Sequence, residues 1–322
     1  MAERLTSTKA LVEGALAAAL AAVLALVGYY LPPLSMITTL VWFIPIVVVI
    51  VRQNMRWGVM SLVVATLVMM MLSHPLSGFL TALQMGFVAL VYGYGFKNKW
   101  SAGKIILTGG IAVVISAIIV IALSITLMGV NLGEWQQEMA LQIDHSIEMY
   151  RQWGLLDQGG EEELRNTMEA LIHFIGLIIP GLLISGSLLT AAVNFLLVRV
   201  VLKRVGVEIR PIPPFREWQL PWYLIWGIIG GLILLLGGDY FNLDLVNTIG
   251  LNILYFYFPI LFIAGLSVLS FFNYHLKIAR WIKIMTLIVF VVNLPFAVVL
   301  ITSLGLFDPL FNYRRLVNQA KK

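Results

Sequence analysis

Of 322 residues, 60% are hydrophobic and 11% charged, where a soluble domain carries about 25% charged residues, so no soluble fold could hide the apolar surface and the bilayer must act as solvent. The 21 Lys and Arg outnumber the 16 acids, but they lie in short loops between apolar runs, an orientation code rather than a nucleic-acid surface. The absence of cysteine excludes disulfides, thiolate metal sites and cysteine nucleophiles.

The first apolar run extends from Thr8 to Pro33, and no charge falls between Gly14 and Leu31. That is about 27 Å of helix, close to the roughly 30 Å hydrocarbon core of a bilayer. Arg4 and Lys9 precede it, as in a signal peptide. However, the run exceeds the usual apolar region of about 7–15 residues and another follows almost at once, so a retained first span is predicted. Ala10, Gly14, Ala18 and Ala22 recur every four residues, as do Ala15 and Ala19, and Ala17, Ala21 and Ala25. Lipid gives helices no hydrophobic reason to meet, so small residues that let backbones approach become a main source of association. The run can serve internal packing or the docking of a separate subunit, and both remain open.

Apolar runs fall at approximately 10–31, 34–51, 57–72, 76–96, 105–130, 170–198, 220–237, 248–273 and 284–304. They predict an all-α polytopic transmembrane helical bundle of about nine spans. Pro45, Pro180, Pro259 and Pro295 should kink their helices, with neighbouring helices re-satisfying the freed carbonyls. With the N-terminus in the cytoplasm, the inner segments carry 15 of the 21 basic residues, so the bias favours that orientation. Trp57, Trp100, Trp218, Trp222 and Trp281 fall at predicted inner boundaries, where amphipathic rings are comfortable. An odd span count places the C-terminus outside. The basic tail, with Arg314, Arg315, Lys321 and Lys322, is discordant, since an even count would bring it inside.

Residues 131–169 form the only long outer loop, with nine acids against Arg151 and Arg165. Within it Trp135, Met139, Ile143, Ile147 and Tyr150 recur at helical spacing, which predicts an amphipathic helix on the membrane or over the bundle. It reads as a solvated acidic cap or as a lid. The inner connector, residues 203–222, is made extended and stiff by Pro211, Pro213, Pro214 and Pro221. It divides the chain into a six-span unit at 1–202, a cytoplasmic linker at 203–219 and a three-span extension at 220–322. The linker is a spacer or a partner site.

An intramembrane enzyme would hold ionisable groups within its spans. Glu13 is the only acid inside a predicted span, one turn from the inner surface, where it can snorkel or pair with Lys9. No HExxH motif is present, and His74, His145, His173 and His275 are scattered. Ser185-Gly186-Ser187 lacks the Gly-x-Ser-Gly spacing of a rhomboid-type protease, and Glu161-Glu162 with Arg165 is one residue short of the EExxxR of prenyl-processing proteases. Neither an enzyme, a metal nor a cofactor is expected. Gln84, His173, Asn194, Asn252 and Asn293 lie within spans, supported by Ser185, Ser187, Thr190, Ser267 and Ser270. Interhelical hydrogen bonds worth about 0.6 kcal/mol each account for most such residues. Ser73, His74, Gln84 and His173 fall at the outer half or edge of the first unit. They define a candidate pocket without fixed charge, suited to a small neutral or zwitterionic ligand.

The first helix reads Glu13-Gly14-Ala15-Leu16-Ala17-Ala18-Ala19-Leu20-Ala21. With six spans and both ends inside, the first unit resembles the substrate-binding S components of energy-coupling-factor (ECF) vitamin transporters. In that family an AxxxA element here faces the transmembrane coupling subunit. The resemblance therefore implies docking at Ala15 and Ala19, and a coupling subunit and ATPases, or another membrane protein, as partners besides the lipid bilayer. Over its whole length the chain resembles the YybS-type family of uncharacterised bacterial membrane proteins. That likeness rests on Pro213-Pro214-Phe215-Arg216-Glu217-Trp218, Leu220-Pro221-Trp222 and the ending Gly305-Leu306-Phe307-Asp308-Pro309-Leu310-Phe311-Asn312-Tyr313-Arg314-Arg315, and implies a bacterial plasma membrane protein. The expected function is a small-molecule-binding or transport-associated subunit energised by partner proteins. The alternative is a structural or regulatory scaffold of a cell-envelope complex.

Overall fold

The computed structural model describes residues 2–129, 132–154, 158–275 and 279–314, and every regular element among them is helical. The chain divides into two compact units, one of Met1–His145 with Gly186–Pro211, the other of Ser146–Ser185 with Ile212–Lys322. This division is discontinuous in sequence. It groups residues 146–185 with the C-terminal helices rather than with the first five apolar runs.

The first unit holds α1 (Ala2–Tyr30), α2 (Ser35–Val41), α3 (Ile44–Arg52), α4 (Met55–Leu72), α5 (Pro75–Lys97) and α6 (Ala102–Met128). The second apolar run is therefore two helices rather than one kinked helix. Pro45 lies in the first turn of α3, where its missing N–H has no partner to lose. Asn54 caps α4 by accepting from Trp57 N–H at 3.2 Å, and Ser101 caps α6 by accepting from Lys104 N–H at 3.4 Å. Trp42, Phe43, Ile46 and Ile50 are buried, and Ile50 lies against Gly58 of α4 and Gly93 of α5. Helix α3 thus fills the space that these two glycines leave.

Two long helices cross the division between units: α7 (Leu132–Gln152) and α8 (Gln158–Arg204), the latter of 47 residues. The second half of α8 is fixed in the first unit. The buried Tyr92 hydroxyl donates to the Ala191 carbonyl at 2.6 Å, and Phe96 stacks on Phe195 with centroids 5.4 Å apart. The amphipathic helix expected in the acidic segment is α7. Ile147 is buried, Met139 and Ile143 are half-buried and Tyr150 is exposed, while the side chain of Trp135 lies outside the described residues. In the second unit Arg151 joins Glu148 at 3.6 Å and Glu161 at 3.2 Å, tying the end of α7 to the start of α8.

The second unit continues with α9 (Ile225–Tyr240), α10 (Asp244–His275), α11 (Arg280–Val292) and α12 (Leu294–Phe311). Pro180 and Pro259 lie inside α8 and α10. Pro295 instead opens α12, where Asn293 accepts from Phe296 N–H at 3.4 Å as N-cap. The run expected at 284–304 is therefore divided between two helices, and the helix that begins after the break continues to Phe311. Among the described residues, nine helices are long and apolar enough to cross a membrane, the last being Leu294–Phe311. Helix α10 packs against both α9 and α12. It meets α12 most closely where Gly265 faces Ile301 and Gly305 faces Leu261.

Candidate functional site

At one end of the second unit lies a cluster of buried charge. Arg314, 6% exposed, directs its two terminal nitrogens at four partners. One donates to the Arg216 carbonyl at 2.6 Å; the other donates to the Trp218 carbonyl at 2.6 Å and to Ser267 Oγ at 3.1 Å. The same nitrogen stands 3.4 Å from Asp308 Oδ2, and Asp308 is itself 3% exposed. Ser267, fully buried on α10, donates to the Phe215 and Trp218 carbonyls at 2.7 and 2.9 Å. Burial draws the Arg314 guanidinium below its ordinary pKa, and the adjacent Asp308 charge opposes that shift.

The local sequence explains why these groups converge. Pro213 and Pro214 prevent the connector from forming a helix, and it makes a single 3-10 turn at Phe215–Glu217 in which the Phe215 carbonyl accepts from Trp218 N–H at 3.1 Å. Ser267 adds a donor to the Phe215 carbonyl, and Arg314 and Ser267 reach the Arg216 and Trp218 carbonyls. Above the connector Arg216 covers the Tyr274 ring at 3.8 Å, and Trp218 Nε1 donates to the Pro213 carbonyl at 3.0 Å. The chain reaches this point because Asn312 ends α12 in a left-handed conformation, with φ 46°, which Asn tolerates better than most residues. Chemically the arrangement is a clasp. One guanidinium holds the connector, α10 and α12 together, and its charge is answered by a carboxylate.

A second polar device repairs α8. Pro180 has no N–H and displaces the helix ladder. The Gly181 N–H donates to Asn252 Oδ1 at 2.6 Å, and Asn252 Nδ2 donates to the Leu177 carbonyl at 2.7 Å. An unbroken helix would pair those two backbone groups with each other. A cavity of about 450 Å³ adjoins this contact, lined by Pro180, Ile184, Ile249, Ile253 and Phe256 with Asn252 and Thr248 as its polar members.

The residues expected to form a pocket are placed as follows. Ser73 ends α4 and donates to the Met69 carbonyl at 2.6 Å; His74 precedes α5 and is exposed; Gln84 is half-buried within α5. All three belong to the first unit, whereas His173 is an exposed residue of α8 in the second. Ala15 and Ala19 are exposed on α1, although Ala17, Ala18, Ala21 and Ala22 are buried. Glu13 pairs with Arg52 at 3.1 Å and accepts from Gln53 at 2.9 Å. Its partner is thus α3 and not Lys9, because two polar groups at the end of α3 reach it across the helix contact.

Sequence reasoning missed the clasp. Ending the last run at residue 304 left Asp308 outside every span, and Glu13 stood as the only acid within one. The available signal was Asn293-Leu294-Pro295, a cap followed by a proline in the first turn, which marks a helix start rather than a kink. A span beginning there includes Asp308.

The family described as "Predicted membrane protein (DUF2232)" matches residues 19–309. The "Uncharacterized protein YybS" of Bacillus subtilis (strain 168) is 23% identical over 316 residues, which cover 96% of this chain and 99% of that protein. No solved structure matches the chain.

Proposed function

The chain belongs to the DUF2232 family of predicted membrane proteins, and we propose that it acts as a partner-dependent subunit of the bacterial plasma membrane, transport-associated and of the ECF S-component type. The supporting observation is the division of α1 into two faces. One face buries Ala10, Ala17, Ala18, Ala21 and Ala22 in the first unit. The other leaves Ala15 and Ala19 open beside the exposed Leu11, Leu16 and Leu20. Small residues that are not used for internal packing leave room for a second backbone at close range. The occupant in this reading is a transmembrane coupling subunit that works with ATPases.

Replacing Ala15 and Ala19 together with Leu keeps α1 apolar and touches no buried side chain. Insertion and thermal midpoint should stay unchanged, and recovery of a co-purifying membrane subunit after gentle solubilisation should fall several-fold. An equal fall in the stability of the isolated protein would overturn the docking face. The clasp supports a second reading, a structural or regulatory scaffold of an envelope complex, because it fixes the connector as a shaped surface. Co-purifying envelope proteins without ATPases would select that reading.

In the transport reading the ligand is small and neutral or zwitterionic, and its contacts in the first unit are Ser73, His74 and Gln84. A ligand at 100 times its Kd stabilises its protein by about 2.7 kcal/mol. A thermal-shift screen of vitamins, nucleosides and amino acids should therefore give a hit. Gln84→Leu should remove that shift while leaving the ligand-free midpoint in place. A hit that survives this substitution would exclude these contacts.

A further inference from the structure

We propose that the groove along the α5–α6 hairpin of the first unit binds one anionic phospholipid, with an acyl chain between the helices and the phosphate beside Lys104. The groove begins at the turn. Helix α5 closes with Lys99 in a left-handed conformation, φ 51°, and Trp100 N–H donates back to the Gly95 carbonyl at 2.9 Å, a six-to-one helix ending. Helix α6 then returns antiparallel, since Gly95 faces Ile105 and Gly109 faces Tyr92. On the outward side of this hairpin the two helices leave a hollow of about 350 Å³.

The hollow suits a hydrocarbon chain and little else. Phe87, Ile111 and Ile115 stand exposed along it and Ala112 is buried beneath it. Its polar member on α6, Thr108, has its hydroxyl donated to the Lys104 carbonyl at 2.8 Å, so it offers no free donor to a polar ligand. Eleven residues separate Lys104 from Ile115, about 16 Å of helix. That is close to half of the roughly 30 Å hydrocarbon core, the depth of one leaflet. The groove therefore has the reach of one lipid's tail.

The charge stands at the end where the headgroup would lie. Trp100 lines the groove and meets Tyr94 edge-on, with centroids 5.4 Å apart, and the Lys104 ammonium sits 4.1 Å from the centre of the Trp100 ring. An aromatic pair at this level is the usual mark of the membrane–water interface, and the ring holds the cation beside the groove mouth. No acid occurs between Glu13 and Glu134, whereas Arg52, Arg56, Lys97, Lys99 and Lys104 all do. Arg52 is paired with Glu13, and Lys97 donates to the Gln53 carbonyl. Arg56, Lys99 and Lys104 are exposed and join no salt bridge among the described residues. Unopposed cations next to a chain-wide apolar groove complement a phosphate that carries net negative charge, and a zwitterionic lipid would leave them unneutralised.

The test uses the full-length protein, delipidated and then incubated with an equimolar mixture of phosphatidylglycerol and phosphatidylcholine of one chain length. Native mass spectrometry counts the lipids retained on the folded protein. The wild type should keep one phosphatidylglycerol in several-fold preference to phosphatidylcholine. Lys104→Gln should bring that ratio close to one, and Ile111→Trp, which fills the groove at an exposed position, should remove the retained lipid. Lys203→Gln, an exposed cation near the end of α8, should leave the ratio as it is. Millimolar inorganic phosphate should also leave it unchanged. An equal ratio in the wild type, an equal fall in Lys203→Gln, or displacement by inorganic phosphate would each overturn the proposal.

Discussion

Replacing Arg314 with Met is expected to destabilise the protein by about 3–5 kcal/mol, the usual cost of removing one partner from a buried ion pair. The guanidinium holds four groups, and each loses its partner in a different way. Asp308 keeps a charge at 3% exposure with no cation to answer it. The Arg216 and Trp218 carbonyls lose their donors at 2.6 Å, although Ser267 still donates to Trp218. The connector should therefore become the first segment cut in limited proteolysis, and the thermal midpoint in detergent should fall sharply. Asp308→Leu combined with Arg314→Met removes both charges and should recover a large part of the loss, since replacing a whole buried pair with apolar groups is often close to neutral. A double variant no more stable than Arg314→Met would show that the carbonyl contacts, rather than the ion pair, carry the effect.

Gly305→Ala should be nearly as damaging, by about 3 kcal/mol, through an unrelated cause. A Cβ at this position would overlap the Leu261 carbonyl oxygen and come within 2.7 Å of the Gly265 nitrogen. Both obstacles are backbone, so no rotamer change relieves them and α12 must move away from α10. Overpacking usually costs about 1–3 kcal/mol, and rigid neighbours place this case at the upper end. Gly230→Ala on α9 is the control, because a Cβ there meets nothing within 4 Å. It should be neutral or stabilising by about 0.5–1 kcal/mol, since Ala loses less backbone freedom than Gly in a helix. Equal midpoints for the two variants would show that α10 and α12 do not approach as closely as described.

Most of the helical pattern was legible because lipid imposes a simple rule: long apolar runs end at charges. The run expected at 57–72 is Met55–Leu72, and that expected at 76–96 is Pro75–Lys97. The rule fails where a helix ends without a charge. Hydropathy sees residues 284–304 as one run, yet the cap at Asn293 and the ring of Pro295 separate α11 from α12. The clasp was hidden for a different reason. Asp308 and Arg314 are plain in the sequence, but their burial depends on carbonyls 96 and 98 residues away. No local periodicity encodes a contact at that separation. Asn252 was visible as a polar residue within a span, whereas its specific task, completing the ladder of another helix, follows only from the position of Pro180.

That repair gives the protein a clock during its synthesis. Gly181 and Asn252 are 71 residues apart in the chain, and ribosomes add roughly 5–20 residues per second. For about 4–14 s, then, the nascent α8 has an unpaired carbonyl and an unpaired amide beside Pro180, in a solvent that offers neither a partner. Biogenesis must shelter that notch, at the insertion machinery or against helices already made, until α10 arrives with the one side chain that closes it.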